Sequence, residues 1–262
     1  MNKIQELIKF VLKGKGVNLK SEDIEAYYNR GVKKCRLGQY ESAIIDFDRV
    51  IDLNPQESEA YNGRGNAKNA LGQHESAIAD YDRAIDLNPQ DAGAYYNRGN
   101  VKDSLGQYES AIADIDRVIE LKPQDAEAYY YRGNAKNALG QYESSITDFD
   151  RAISLNPQDV EAYYNRGTSK CMLGQPELAI ADFDMAIGLN PQYVEAYSNR
   201  GRAKYALGQY NLAIADFDRV IELNPQDAEI YYYRGNAKFK LGLNESAEKD
   251  YAKAKELGYT EQ

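Results

Sequence analysis

The sequence predicts an all-α fold in which short helix pairs are stacked one after another. The pattern R-G-x-x-K-x-x-L-G occurs seven times, always 34 residues apart and without an insertion. A fixed period of this length indicates a repeat array rather than a single globular core. Each copy holds two helical stretches, which glycine and proline separate. The arginine that opens the pattern lies at Arg30, Arg64, Arg98, Arg132, Arg166, Arg200 and Arg234.

Glycine and proline define the ends of the predicted helices. Position 15 of each repeat is glycine, as expected where a helix ends in the left-handed region. Position 32 is proline in the first six repeats, and proline cannot continue the second helix. With Ile24 at position 1, the repeats cover 24–57, 58–91, 92–125, 126–159, 160–193, 194–227 and 228–261.

A second glycine, at position 8, stands inside the first helix of every repeat. Glycine at a mid-helix position costs about 1 kcal/mol relative to alanine. Its recurrence therefore predicts a close contact between the two helices of a repeat. We expect the small residue at position 20, for example Ala77 or Ala111, to face this glycine.

Several of these columns resemble the tetratricopeptide repeat: Tyr at position 4, Gly at 8, Ala at 20, Phe or Tyr at 24 and Pro at 32. The resemblance covers residues 24–261 in seven units. It implies a right-handed α-solenoid, a superhelix of paired antiparallel helices whose inner groove usually binds peptides or protein segments. The chain departs from the family at position 7, usually Leu but here Arg, and at position 11, usually Tyr but here Lys.

The two ends of the array differ from its middle. Positions 21 and 28 are isoleucine in the first six repeats but Glu248 and Lys255 in the last. They lie seven residues apart and share a helix face, so we expect this face to pack on the following repeat and the array to end here. Residues 1–23 hold an apolar cluster at helical spacing in their first half, which predicts an amphipathic capping helix. A frayed tail and a partner-binding helix are the alternatives.

Charged residues form two further columns. Position 7 is Arg and position 23 is Asp in all seven repeats, including both terminal ones, which predicts an Arg–Asp bridge within each repeat. Position 25 is Asp in the first six repeats and Ala252 in the last. This pattern predicts that each of the six aspartates contacts the repeat that follows it.

The family resemblance implies that the first helices line the groove, mainly through positions 2, 5, 6, 9, 12 and 13. Here several of these positions are rich in Tyr and Asn. An Asn amide both donates and accepts hydrogen bonds, so it can hold peptide backbone, and Tyr gives a large contact area with few rotors. The candidate peptide-binding residues are Tyr28, Asn29, Asn66, Tyr96, Asn97, Asn100, Tyr130, Tyr131, Asn134, Tyr164, Asn165, Asn199, Arg202, Tyr232 and Asn236.

The asparagines resemble the ladder that grips extended peptide in the sugar-transferring tetratricopeptide superhelices. The basic residues of the family's carboxylate clamp are missing, which argues against an acidic C-terminal tail held in that way. Arg202 interrupts the asparagine column at position 9 and is a candidate anchor. The alternative explanation of the whole Tyr/Asn surface is copying by duplication.

Composition restricts the function classes. The net charge of −9 at pH 7 disfavours nucleic acid and anionic membranes as partners, and no apolar run reaches the roughly 18 residues of a membrane span. One histidine and two cysteines provide neither a zinc site nor a histidine-based triad, so we expect no enzyme, metal or cofactor. We expect a cytoplasmic adaptor for a protein or peptide partner; the alternative is a scaffold that self-associates through the array ends or the N-terminal segment.

Overall fold

The computed structural model describes residues 21–260, which contain fourteen helices and no strand. The chain divides into two compact units, residues 1–121 and 122–262, and each is described by itself. The first unit holds α1 (Ser21–Arg36), α2 (Tyr40–Leu53), α3 (Ser58–Ala70), α4 (His74–Leu87), α5 (Ala92–Ser104) and α6 (Tyr108–Leu121). The second holds α7 (Ala126–Ala138), α8 (Tyr142–Leu155), α9 (Val160–Met172), α10 (Pro176–Leu189), α11 (Val194–Ala206), α12 (Tyr210–Leu223), α13 (Ala228–Lys240) and α14 (Asn244–Glu256).

Within each unit the helices are stacked in pairs. Each odd-numbered helix packs against the helix that follows it in its repeat, and that second helix packs against the first helix of the next repeat. The predicted all-α class of stacked helix pairs is therefore confirmed in both units. The predicted N-terminal capping helix falls mainly on residues 1–20, which lie outside the described residues.

The first helix of each repeat ends two residues before the glycine of position 15. All seven of these glycines have φ between 70° and 74°, in the left-handed region that favours glycine. After Gly106, the backbone N–H of Gln107 donates to the carbonyl of Lys102 at 2.8 Å, which closes the end of α5. The next repeat begins with a cap, since the Asp125 carboxylate accepts from the backbone N–H of Glu127 at the start of α7.

The glycine at position 8 faces position 24, so the expectation that it faces position 20 is wrong. A Cβ added to Gly133 would lie 2.7 Å from the Phe149 ring, and one added to Gly201 would lie 2.6 Å from the Phe217 ring. The aromatic ring reaches across the helix pair and occupies the space that a side chain on the first helix would need. The glycine column therefore makes room for the largest core side chain of each repeat.

Isoleucine at position 28 packs on the following repeat, as predicted. Ile153 at the end of α8 is buried in one cluster with Ala162 of α9. In the last repeat the corresponding face is polar, and both Glu248 and Lys255 are exposed.

The predicted Arg–Asp bridge within each repeat is confirmed in all seven repeats. In the third repeat Arg98 donates to Asp114 through Nε at 2.9 Å and through Nη2 at 2.5 Å. The other six arginines bind the aspartate sixteen residues later in the same two-pronged way. These aspartates are buried, so the guanidinium group satisfies a charge that would otherwise be costly to bury.

The lysine at position 11 binds the same aspartate. Lys102 Nζ lies 2.8 Å from Asp114 Oδ2, and the corresponding lysine of every other repeat makes the equivalent ion pair. The two departures from the family pattern, at positions 7 and 11, thus place two cations around one buried carboxylate.

The aspartate at position 25 contacts the following repeat, as predicted. Asp82 Oδ1 accepts from Arg98 Nη1 at 2.5 Å, and the same contact occurs at the other junctions described within the two units. Burial alone would lower the pKa of Arg98, but its hydrogen bonds to Asp114 and Asp82 outweigh burial and raise it. Each such arginine therefore joins two repeats.

Candidate functional site

The candidate residues lie on the surface formed by positions 2, 5, 6 and 9 of the first helices, here called the first-helix face. In repeats four and five, Asn165 Nδ2 donates to Asn134 Oδ1 at 2.9 Å and to Tyr130 Oη at 3.3 Å. In repeats five and six, Asn199 Nδ2 donates to Tyr164 Oη at 3.0 Å. The asparagine at position 6 therefore bridges to the preceding first helix.

A related arrangement occurs in the first unit. Asn97 Nδ2 donates to Asn62 Oδ1 at 2.9 Å, and Asn62 Nδ2 donates to Asp91 Oδ2 at 3.4 Å. Asn66 is exposed and accepts from the Tyr81 hydroxyl at 2.8 Å. Asn62 was not among the candidate residues, although it occupies position 5, where most other repeats have Tyr.

The tyrosines at position 5 are anchored on the core. The rings of Tyr130 and Phe149 have centroids 6.1 Å apart, and those of Tyr164 and Phe183 are 6.0 Å apart. Burial raises the pKa of both Tyr130 and Tyr164, so both hydroxyls are neutral at pH 7. Tyr28 packs edge-on against Phe47 in the same way.

Asn29 and Asn100 take no part in these hydrogen bonds. Asn29 is exposed and Asn100 is half-buried, and neither side chain bonds to another of the described residues. Tyr96 is half-buried, and Tyr131 packs edge-on against Tyr130 with centroids 5.5 Å apart. The structure therefore assembles only part of the predicted set.

Arg202 is tied to the next repeat. Its guanidinium lies 2.6 Å from the Glu229 carboxylate and stacks 4.3 Å from the centre of the Tyr233 ring. Both partners belong to α13. The side chain is thus held between two repeats and presents part of its charge to the first-helix face.

The remaining two candidates lie in the last repeat. Tyr232 stacks on Tyr259 with ring centroids 4.4 Å apart. Asn236 accepts a hydrogen bond from the Tyr251 hydroxyl at 2.9 Å. Together they form one side of a cleft that is described below.

Carboxylates surround the tyrosines of repeats four and five. A hollow of about 620 Å³ is lined by Tyr130 together with Asp125, Glu127, Asp159 and Glu161. Such a concentration of negative charge favours cationic or N–H-donating groups in a ligand.

Tyr193 lies against Glu161, one of the residues that line this hollow, and it was not among the candidate residues. Its hydroxyl donates to Glu161 Oε2 at 2.6 Å, and its ring lies 5.0 Å from that of Tyr164. Burial and the bond to Glu161 raise the pKa of Tyr193. The available signal was its place at position 34, where every other repeat has a carboxylate.

Family comparison agrees with this architecture. The tetratricopeptide repeat model matches residues 24–57, 92–125 and 160–193, and a second TPR repeat model matches residues 65–102, 133–170 and 201–242. The chain belongs to the tetratricopeptide repeat family. The ranges of the first model coincide with repeats one, three and five of the 34-residue frame. Among curated proteins, none matches significantly.

Solved structures share the fold. A protein from Parabacteroides merdae is 23% identical with a TM-score of 0.68, and the match covers 92% of this chain and 95% of that one. A structure of MamA is 26% identical with a TM-score of 0.61, over 63% of this chain and 91% of that one. YrrB, described as having an unusual peptide-binding site, is 24% identical with a TM-score of 0.63, over 70% of this chain and 94% of that one.

Two kinds of feature are absent from residues 21–260. No helix in this range is both long and apolar enough to cross a membrane. The same residues contain no group of histidine, cysteine and carboxylate side chains that could hold a metal ion. Cys35 and Cys171 are free thiols, and burial raises the pKa of both.

Proposed function

We propose that this tetratricopeptide protein is an adaptor that binds an extended segment of a partner protein along the first-helix face of repeats four to six. The hydrogen-bonded series of Asn165 with Asn134, and of Asn199 with Tyr164, carries the proposal. It holds side chains of consecutive first helices in one fixed arrangement. A surface ordered in advance loses less side-chain entropy when a ligand binds.

The chemistry of this face favours a segment that presents N–H donors. The side-chain amides of Asn165 and Asn199 use their N–H groups within the protein, and their Oδ1 atoms accept no hydrogen bond from another of the described residues. Exposed Glu127 and Glu161 add further acceptors. Peptide N–H groups and lysine or arginine side chains would satisfy these acceptors.

Membership of the family supports a binding role, since protein interaction is the usual task of tetratricopeptide arrays. Peptide binding is also what the description of YrrB states for that protein. The experiment starts from the cell that produces the chain.

The experiment compares the wild type with the double variant Asn165→Ala, Asn199→Ala. A partner is recovered with the tagged wild-type chain, its binding segment is mapped, and the dissociation constant of that segment is measured. We expect the double variant to bind at least about tenfold more weakly, which corresponds to about 1.4 kcal/mol. Circular dichroism checks that the helical content is unchanged.

The matched control is Leu178→Ala with Leu212→Ala. These two side chains are 55% and 54% exposed on the second helices, away from the first-helix face. We expect this variant to bind like the wild type. Equal binding by the asparagine variant and the wild type would show that the first-helix face is not the binding surface.

A further inference from the structure

The last repeat contains a cleft of about 1110 Å³ that differs in chemistry from the rest of the first-helix face. It lies between α13, α14 and the residues after α14, with one contribution from α11. We call it the C-terminal cleft. Its main lining residues are Tyr205, Tyr232, Phe239, Lys240, Lys255 and Tyr259.

Aromatic side chains give the cleft an apolar wall. Phe239 occupies position 12 and is 57% exposed, whereas repeats two to four carry a polar residue at that position. The stacked rings of Tyr232 and Tyr259 stand in the same cleft. Exposed apolar surface in a concave site is typical of a ligand-binding cleft.

Two lysines in the cleft lack the ion pair that the lysine at position 11 makes in every repeat. Every lysine at position 11 binds a buried aspartate, as Lys238 does in this repeat. Lys240 and Lys255 make no ion pair with any described residue. Position 13 is alanine, serine or methionine in repeats two to six, and position 28 is isoleucine in the first six. Among repeats two to seven, only the last therefore has a cation at position 13 or at position 28.

The charge of the last repeat also sets it apart. Residues 228–261 carry six Lys and Arg and six Asp and Glu, a net charge of zero, although the whole chain has a net charge of −9. Among the seven repeats the last is therefore the one that an anion would approach with least repulsion.

We propose that the C-terminal cleft binds a partner segment in which an aromatic or aliphatic side chain stands next to carboxylates. The apolar side chain packs against Phe239 and the stacked tyrosines, and the carboxylates pair with Lys240 and Lys255. The proposal rests on the adaptor function proposed above, but it concerns a different cleft and a ligand of opposite charge to that favoured in repeats four to six.

Charge disfavours two other occupants. Residues 1–20 contain five lysines and one glutamate, so the chain's own N-terminal segment has the same sign as the cleft. A second copy that continued the stack would bring Arg30 and Lys33 of its first repeat to this end; Lys33 is exposed, and the Arg30 side chain is 54% exposed. Like charges brought together in this way oppose association.

A library of random twelve-residue peptides displayed on phage provides the probe. The library is selected on the full-length chain and counter-selected on the double variant Lys240→Ala, Lys255→Ile, which restores the residues most common at these positions in the other repeats. We expect enrichment of peptides that combine an aromatic or aliphatic residue with Asp or Glu. A selected peptide is then synthesised and titrated against the chain.

We expect Phe239→Asn, and separately the double lysine variant, to weaken binding of this peptide about tenfold or more. Added salt should weaken it further in the wild type, because exposed charge pairs are screened. The matched control is Lys249→Ala, since Lys249 is exposed on α14, makes no ion pair with the described residues and does not line the cleft.

Three results would overturn the proposal: no enrichment, enrichment of basic peptides, or equal binding by the wild type and the lysine variant. Concentration-dependent dimerisation in light scattering that the Phe239→Asn change abolishes would also overturn it, in favour of a second copy. The variant Asn165→Ala, Asn199→Ala separates the two proposals. This variant should bind the cleft peptide normally. If no peptide binds the C-terminal cleft, the proposal for repeats four to six is therefore unaffected.

Discussion

Arg200 holds Asp216 through two parallel hydrogen bonds, with Nε at 3.0 Å from Oδ2 and Nη2 at 2.5 Å from Oδ1. The aspartate is 3% exposed, and Lys204 is its second cationic partner. This pairing recurs in every repeat, so it contributes to stability along the whole array.

Replacing this aspartate should therefore destabilise the protein. We expect Asp216→Asn to lower the free energy of unfolding by about 2 to 3 kcal/mol, somewhat less than for a fully buried pair because both cations keep some contact with solvent. Urea unfolding measures the change. Asp184→Asn is the control: this aspartate is about half exposed and binds the same arginine, so its loss should cost less than about 1 kcal/mol. Equal costs for the two variants would contradict this account.

Acid should weaken the same interactions. The hydrogen bonds from Arg30, and then those from Lys34, hold the pKa of the Asp46 carboxyl below its usual value. A depressed folded-state pKa stabilises the protein above the unfolded-state value of about 3.9, and this stabilisation is lost as the pH falls through the folded-state pKa. We expect thermal stability to fall below about pH 4. The loss should be smaller in Asp46→Asn, and an identical acid profile for both proteins would refute the assignment.

The close approach of Gly133 to Phe149 predicts opposite outcomes for two glycine substitutions. Gly133→Ala should destabilise by about 1 to 3 kcal/mol, because the added methyl group would lie 2.7 Å from the ring. Gly188→Ala should stabilise by about 0.5 to 1 kcal/mol, because this glycine lies in α10 with no atom in the way. Thermal melting of both variants gives the comparison, and destabilisation by both would show that the ring contact is not the cause.

Tyr164→Phe examines the bond from Asn199 without removing the ring. We expect the free energy of unfolding to fall by about 1 kcal/mol, the usual net contribution of one hydrogen bond. Tyr142→Phe in the same unit is the control, because its hydroxyl bonds to none of the described residues, and its loss should be near zero. Chemical unfolding of the two variants measures the difference. If Tyr142→Phe lowers the free energy of unfolding as much as Tyr164→Phe does, the bond to Asn199 does not account for the effect.

The repeat columns predicted those features that depend on which residues are present in which repeats. Comparison of repeats assigned Asp114 to the arginine of its own repeat and Asp82 to the repeat that follows, and both contacts are observed. An aspartate that is lost only in the last repeat indicates a contact beyond its own repeat.

Features that depend on side-chain direction were not predictable in this way. The space beside Gly133 is filled by Phe149, whose ring reaches farther than the small residue at position 20. The side-chain amide of Asn165 points along the array and donates a hydrogen bond to Asn134. Neither rotamer follows from the identity of the residue, since both depend on the neighbouring helix.

The paired columns of Arg and Asp have a consequence for the evolution of the array. The arginine at position 7 of one repeat can bind the aspartate at position 25 of any repeat that precedes it. Loss of residues 160–193, for example, would bring Asp150 to Arg200 in place of Arg166, and the junction would keep the same ionic contact. Unequal recombination in whole multiples of 34 residues can therefore shorten or lengthen the protein without leaving an unmatched charge at the new joint.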